Sequence, residues 1–354
     1  MCKSSIHSFL QALPKVEHHM HIEGALSPSL IFKLAAKNGI ELPKDDSAFS
    51  SVESLVERYK HFTSLDDFLH YYYIGMSVLL SAGDFEALAW DYFQHAAADG
   101  VVHAELFYDP QAHTSRGVSY STIVSGISAA RKRAESEFGI TTELICCFLR
   151  HLPVSDSLMA FDSSEIQASF KDGSVIGIGL DSTELDKPPH LWKELYAKAA
   201  TQELNLTAHA GEEGPAEYIT DALASLHISR IDHGVHLIDD PELMASVAKE
   251  GIMLTVCPIS NVVLKCFPSI KDVPIRKFLD AGVRFSINSD DPAYFGGYIL
   301  DNYCAVDDAF QLSAEEWKSV CRAAIEGSWC SEERKAELLE RLHSVMEHWR
   351  SKVA

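Results

Sequence analysis

Short apolar or β-branched runs of four to eight residues alternate along the chain with longer segments whose apolar positions recur at helical spacing. The runs VEHHMHI (16–22), VVHAELFY (101–108), TELICCFL (142–149), VIGIGLD (175–181), LTAHAG (206–211), RIDHGV (230–235), IMLTVCP (252–258) and VRFSIN (283–288) predict eight strands, each with room for a helix behind it. Helix boundaries are marked chemically. Ser27 followed by Pro28 reads as an N-cap and first helical position, with Gly39 as the stop, and a second helix runs from Asp84 to Asp99 before Gly100. No Ser/Gly linker or low-complexity tract interrupts the alternation. The pattern therefore predicts one (β/α)8 barrel domain over residues 1–354, in preference to an open doubly wound sheet. One stretch departs from it: SLDDFLHYYYIGMSVLL, between the first two strands, is too apolar for a loose loop. Extra helices over one end of the barrel are expected there, either extending the core or covering a pocket.

Composition narrows the function. The chain has 354 residues, 47% of them hydrophobic, and no apolar run nears the ~20 residues a membrane span requires. A net charge of −21 opposes a nucleic-acid or polyphosphate surface, which calls for Lys and Arg. A small, weakly charged substrate is the expectation, without nucleic-acid or membrane partners. The eight cysteines form no CxxC pair, so neither a zinc ribbon nor a thioredoxin-type motif is indicated, and free thiols are expected. Cys146 and Cys147, adjacent on one strand, should face opposite ways. The opening MCKSSIHSFLQALPK lacks the pattern of a secretory signal, which makes the cytoplasm, with the nucleus open, the expected compartment.

The strand ends carry the chemistry. By strand alternation Glu17, His19 and His21 share one face and His18 the other, so His19 and His21 form half of a metal site ahead of the turn at Gly24. The fifth strand ends in HAGEE (His209, Glu212), the sixth in DHG (His233) and the eighth in NSDDP (Asp290, Asp291). Barrel enzymes assemble their active sites at these C-terminal ends. Three imidazoles and a carboxylate suit Zn²⁺, which makes water acidic enough to supply hydroxide at neutral pH. His233 and Glu212 remain to move protons.

HxHxEGA, HAGE, DHG and SINSDDP resemble the adenosine and adenine deaminase branch of the metal-dependent amidohydrolases, in order and across nearly the whole chain. EHHMHIEG, YDPQAHTSRG, GLDSTE, HAGEEGP and NSDDPAYFGGYI are most similar to fungal-type adenine deaminases. The resemblance implies one Zn²⁺ per subunit on His19, His21, His209 and Asp290. It also implies that His233 orients and deprotonates the attacking water, that Glu212 protonates a ring nitrogen, and that Asp291 holds the purine at N7. Adenine would become hypoxanthine and ammonia, a purine-salvage reaction.

Two departures bear on the substrate. Adenosine deaminases resemble HxHxDG, with an aspartate that meets the ribose 5′-hydroxyl; Glu23 is one methylene longer and is expected to exclude ribose or grip the bare base. They also have a glycine three residues after the fourth-strand aspartate, whereas Ser182, Thr183 and Glu184 follow Asp181 here, so the base contact is expected either to persist through backbone or to pass to Ser182 or Glu184. Phe68 and Leu69 are candidates to cover the purine plane. Adenosine deamination and a purine-binding barrel without turnover are the alternatives. A cytidine-deaminase pattern fails because no P-C-x-x-C accompanies His21-Ile22-Glu23, a bridging lysine for a second metal is absent from VIGIGLD, and the acidic balance disfavours a phosphorylated substrate.

Overall fold

The computed structural model describes residues 6–353. Eight parallel strands follow one another in chain order: β1 Lys15–His21, β2 Val101–Tyr108, β3 Thr141–Leu149, β4 Gly177–Asp181, β5 Asn205–Ala210, β6 Arg230–His233, β7 Met253–Val256 and β8 Arg284–Ile287. Each was expected within two residues or so of its observed start. The sheet closes where β1 meets the segment after β8: His21 N–H donates to Asp290 O and Asp290 N–H to His19 O, both at 3.1 Å. His18 N–H adds a bond to Asn288 Oδ1 at 2.8 Å. Helices between the strands complete a (β/α)8 barrel.

Local chemistry explains the helix boundaries. Ser27 accepts from Leu30 N–H, Pro28 opens the helix Pro28–Asn38, and Gly39 ends it at φ 65°. The helix Ala82–Asp99 ends at Gly100 with φ 83°, where a Cβ would come within 2.7 Å of Gln11 O. Its start is a hub: Asp84 accepts from Leu80 and Ser81 N–H and from Lys37 and Asn38, which ties it to the end of the helix Pro28–Asn38. The segment expected to hold extra helices does so, at Val52–Tyr59 and Leu65–Met76.

Strict alternation fails on β1. The pairing register with β2 shifts between Glu17 and Met20, and a bulge turns adjacent side chains to the same side. Glu17 leaves the interior to accept from Tyr92 Oη at 2.7 Å, on the helix outside the barrel. His18 turns inward, contrary to its expected outward packing, and meets Ser286 Oγ at 3.0 Å. Below the site, the buried Glu105 of β2 and Arg230 of β6 pair at 2.5 Å across the barrel axis, and the Trp329 ring lies 3.8 Å from the Arg230 guanidinium. Cys146 and Cys147 fall in separate apolar clusters, as adjacent strand residues should. Cys146, Cys147, Cys257, Cys266, Cys321 and Cys330 are free thiols, but Cys304 is disulfide-bonded, against the expectation for the set. No described helix is long and apolar enough to cross a membrane.

Candidate active site and metal centre

The seam that closes the barrel also builds the centre. His19 and His21 end β1, His209 lies near the end of β5, and Asp290 follows β8. One donor atom from each lies within 4.8 Å of all the others, and all four residues are buried. His21 Nε2 and His209 Nε2 are 3.4 Å apart, and Asp290 Oδ1 lies 3.2 Å from His19 Nε2 and 3.6 Å from His21 Nε2. His19 Nε2 has no hydrogen-bond partner. Two buried nitrogens at such a separation need a proton or a cation between them. Burial pushes His21 down to about 3 and His209 well down, so both keep a neutral lone pair. On His19 burial acts the same way, but the Asp290 and Asp232 charges outweigh it and raise the imidazole. Asp290 is held well below the usual carboxylate range because its histidine neighbours overcome burial. The donor set fits a divalent ion of borderline softness.

A second layer fixes the ring orientations. Thr255 Oγ1 donates to Asp232 Oδ1 at 3.0 Å, leaving its oxygen to accept from His19 Nδ1 at 2.9 Å. That arrangement commits Nε2 of His19 to the centre. Asp232 Oδ2 lies 3.7 Å from His209 Nδ1, and Asp181 Oδ2 lies 3.5 Å from His21 Nδ1. His233 and Asp290 adopt left-handed backbone angles, φ 57° and 64°, strain of about 1–3 kcal/mol each that surrounding contacts must hold.

Beside these four residues, His233 Nε2 lies 3.5 Å from Glu212 Oε2 and 3.7 Å from Asp290 Oδ2. Its Nδ1 is 3.1 Å from Asn261 Nδ2, while Asn261 Oδ1 has no partner. Exchange of the two amide atoms lets Nδ1–H donate to the oxygen and leaves Nε2 basic. Burial, then the Asp290 charge, push Glu212 well above the usual carboxyl range; burial and Asp290 do the same to Asp291. That direction favours the neutral, proton-donating form of each.

His21, His209, Asp290, His233, Glu212 and Asp291 line a small cavity together with Phe68, Leu69 and Ser182. The helix Leu65–Met76 both extends the core and covers the cavity: Phe68 packs against Phe295 at 4.8 Å while it lines the opening. Ser182 keeps a left-handed φ of 72°, an angle glycine adopts freely, and its Oγ meets His151 Nδ1 at 2.9 Å. Glu184 is elsewhere. It accepts from Gly211 and Gly214 N–H at 3.2 and 2.6 Å and so holds the loop that carries Glu212. Glu23 is fully buried but does not line the cavity; its Oε1 accepts from His113 Nε2 at 2.9 Å and from Asp109 N–H at 3.1 Å. Sequence reasoning passed over Asp109, Asp232, Thr255 and Asn261. Asp232 was signalled by its place beside His233, and Asp109 by its position at the end of β2; Thr255 and Asn261 carried no signal short of the folded contacts.

A parallel barrel that gathers three imidazoles and a carboxylate at its strand ends, with acids and a further histidine over a small cavity, has the construction of a metal-dependent hydrolase. The chain belongs to the adenosine deaminase family, whose pattern matches residues 14–345. It is 58% identical over 342 residues to an adenine deaminase of Aspergillus oryzae, covering 97% of each chain. The crystal structure of adenine deaminase from Arthrobacter aurescens superposes with a TM-score of 0.89 at 43% identity, over 95% of this chain and 99% of that one. An amidohydrolase from Burkholderia ambifaria with bound Zn superposes at 0.87 with 27% identity, over 99% of this chain and 97% of that one.

Proposed function

We propose that this protein hydrolyses adenine to hypoxanthine and ammonia in purine salvage, with residues 1–354 acting as one hydrolase barrel. The observation that carries the reading is the convergence, on one cavity, of the four-donor centre with His233, Glu212 and Asp291. The fungal and bacterial relatives named as adenine deaminases support adenine over adenosine. In this reading His19, His21, His209 and Asp290 hold a single Zn²⁺. Bound there, the ion supplies a Lewis acid that brings the pKa of water to about 7.

The protein's own groups account for the remaining steps. Asp291, kept neutral by burial, donates to N7 and orients the ring. Glu212 donates its proton to N1 as water attacks C6, which makes that carbon electrophilic when it is needed. His233 Nε2 removes a proton from the attacking water and returns it to the exocyclic amine, which leaves as ammonia, and the remaining hydroxyl proton goes back to Glu212 as the C6 carbonyl forms. Phe68 and Leu69 exclude solvent from the ring face, and Ser182 borders the ring edge. Atoms balance as adenine plus water giving hypoxanthine plus ammonia.

The test is the ultraviolet absorbance change of zinc-loaded protein with adenine and, separately, with adenosine. Conversion of adenine, abolished by a chelator and restored by Zn²⁺, is expected. Preferential conversion of adenosine would overturn the substrate assignment, and no conversion of either would overturn the enzymatic one.

A further inference from the structure

Asp109 and Asp181 stand at the C-terminal ends of β2 and β4 and are both 2% exposed. Both line the cavity, and single donor atoms of His21, Asp109 and Asp181 lie within 4.8 Å of one another. Asp109 Oδ1 and Asp181 Oδ1 receive no N–H or hydroxyl donor; the two carboxyls face each other closely enough to share a proton, which satisfies at most one of these oxygens. Buried carboxyl oxygens without a donor are costly, so their placement against a cavity points to a donor on whatever fills it.

We propose that this pair, with Asp109 as the principal contact, accepts the N9–H of a free purine base and thereby selects the base over its nucleoside. The inference rests on the adenine reading. A ring that turns N1 to Glu212, after β5, and N7 to Asp291, after β8, directs its opposite N3–N9 edge toward the ends of β2 to β4. Adenine carries a hydrogen at N9. Adenosine carries a sugar carbon there, and would leave a carboxyl oxygen buried without a donor. Sites built around a substrate hydrogen bond reject analogues lacking it by roughly 10⁴-fold or more. Glu23 then acts one step behind the cavity: its bond to Asp109 N–H fixes the backbone of the residue that meets the base.

The experiment compares kcat/KM on adenine and on 9-methyladenine for the zinc-loaded wild type, Asp109→Ala and Asp109→Asn. In the wild type adenine should be strongly preferred. Asp109→Ala removes the acceptor and opens room for the methyl group, so kcat/KM on adenine should fall roughly 10–100-fold while that on 9-methyladenine does not fall. Asp109→Asn keeps the volume and one acceptor oxygen and should retain more of the preference. Equal losses on both substrates, adenine turnover unchanged in Asp109→Ala, or loss of one metal equivalent from that variant would each overturn the proposal, the last by showing a second cation instead. A variant-free arm compares hypoxanthine with 9-methylhypoxanthine as inhibitors of the wild type; equal inhibition also overturns it. A wild type that converts adenosine but not adenine removes the functional reading as well, whereas adenine turnover with an unchanged selectivity ratio removes this proposal alone.

Discussion

Thr255 shows how one hydroxyl can decide what a histidine does. Its proton goes to Asp232 and its lone pair receives His19 Nδ1–H, so only Nε2 of His19 faces the centre. Thr255→Val keeps the shape and removes both bonds. Metal affinity should weaken roughly 10–100-fold, measured by competition with a chromophoric chelator; unchanged affinity would show that the tautomer is set elsewhere. Glu212 is the residue whose protonation matters most for the proposed chemistry. Glu212→Gln should retain metal but lower kcat roughly 10²–10⁴-fold, as loss of a general acid does. The contrast between these residues is instructive, because HAGEE announces Glu212 along the chain while nothing near Thr255 announces its bond to a histidine 236 positions away.

Among the elements, the loop after β5 is held from the next strand over. Glu184 accepts from Gly211 and Gly214 N–H, and Arg150 lies 3.6 Å from its Oε1. Glu184→Ala frees that loop and shifts Glu212, so kcat should drop by about 10²-fold with substrate contacts intact; a variant with wild-type kcat would show that the loop holds itself. The start of the helix Ala82–Asp99 offers a test in pH. Burial works against the Asp84 charge, but the Lys37 bond and the Ser81 and Leu80 N–H groups outweigh it and bring the carboxyl down to about 2. A carboxyl depressed in the folded state contributes stability above its unfolded value of about 3.9 and loses it as pH falls through the folded one. The stability gap between wild type and Asp84→Asn, about 1–3 kcal/mol at neutral pH, should therefore close between about pH 4 and pH 2 in urea titrations.

For the whole molecule, the Glu105–Arg230 pair joins β2 to β6 through the interior, and Glu105 also accepts from Trp329 N–H at 2.5 Å. Glu105→Ala leaves a buried guanidinium unpaired at the base of the barrel. A loss of about 3–5 kcal/mol in unfolding free energy is expected from denaturant titration. A loss below about 1 kcal/mol would mean that water or a neighbouring group takes over the charge.

Eight strands, their order, the capped helices and the candidate donors His19, His21, His209 and Asp290 at the strand ends were legible along the chain, because strand period, cap chemistry and donor type are local properties. So were Glu212, His233 and Asp291, each placed at a strand end by its own short motif. What only the folded barrel decided are relations between segments far apart in sequence. A bulge in β1 overrode the alternation that should have sent His18 outward, because the seam with β8 takes its hydrogen bonds from His18, His19 and His21. Glu23 withdrew behind Asp109, and Glu184 turned to the neighbouring loop, because each found backbone donors to satisfy there before it could reach the cavity. A buried carboxylate goes where the unpaired N–H groups are, and their positions exist only once the strands have closed.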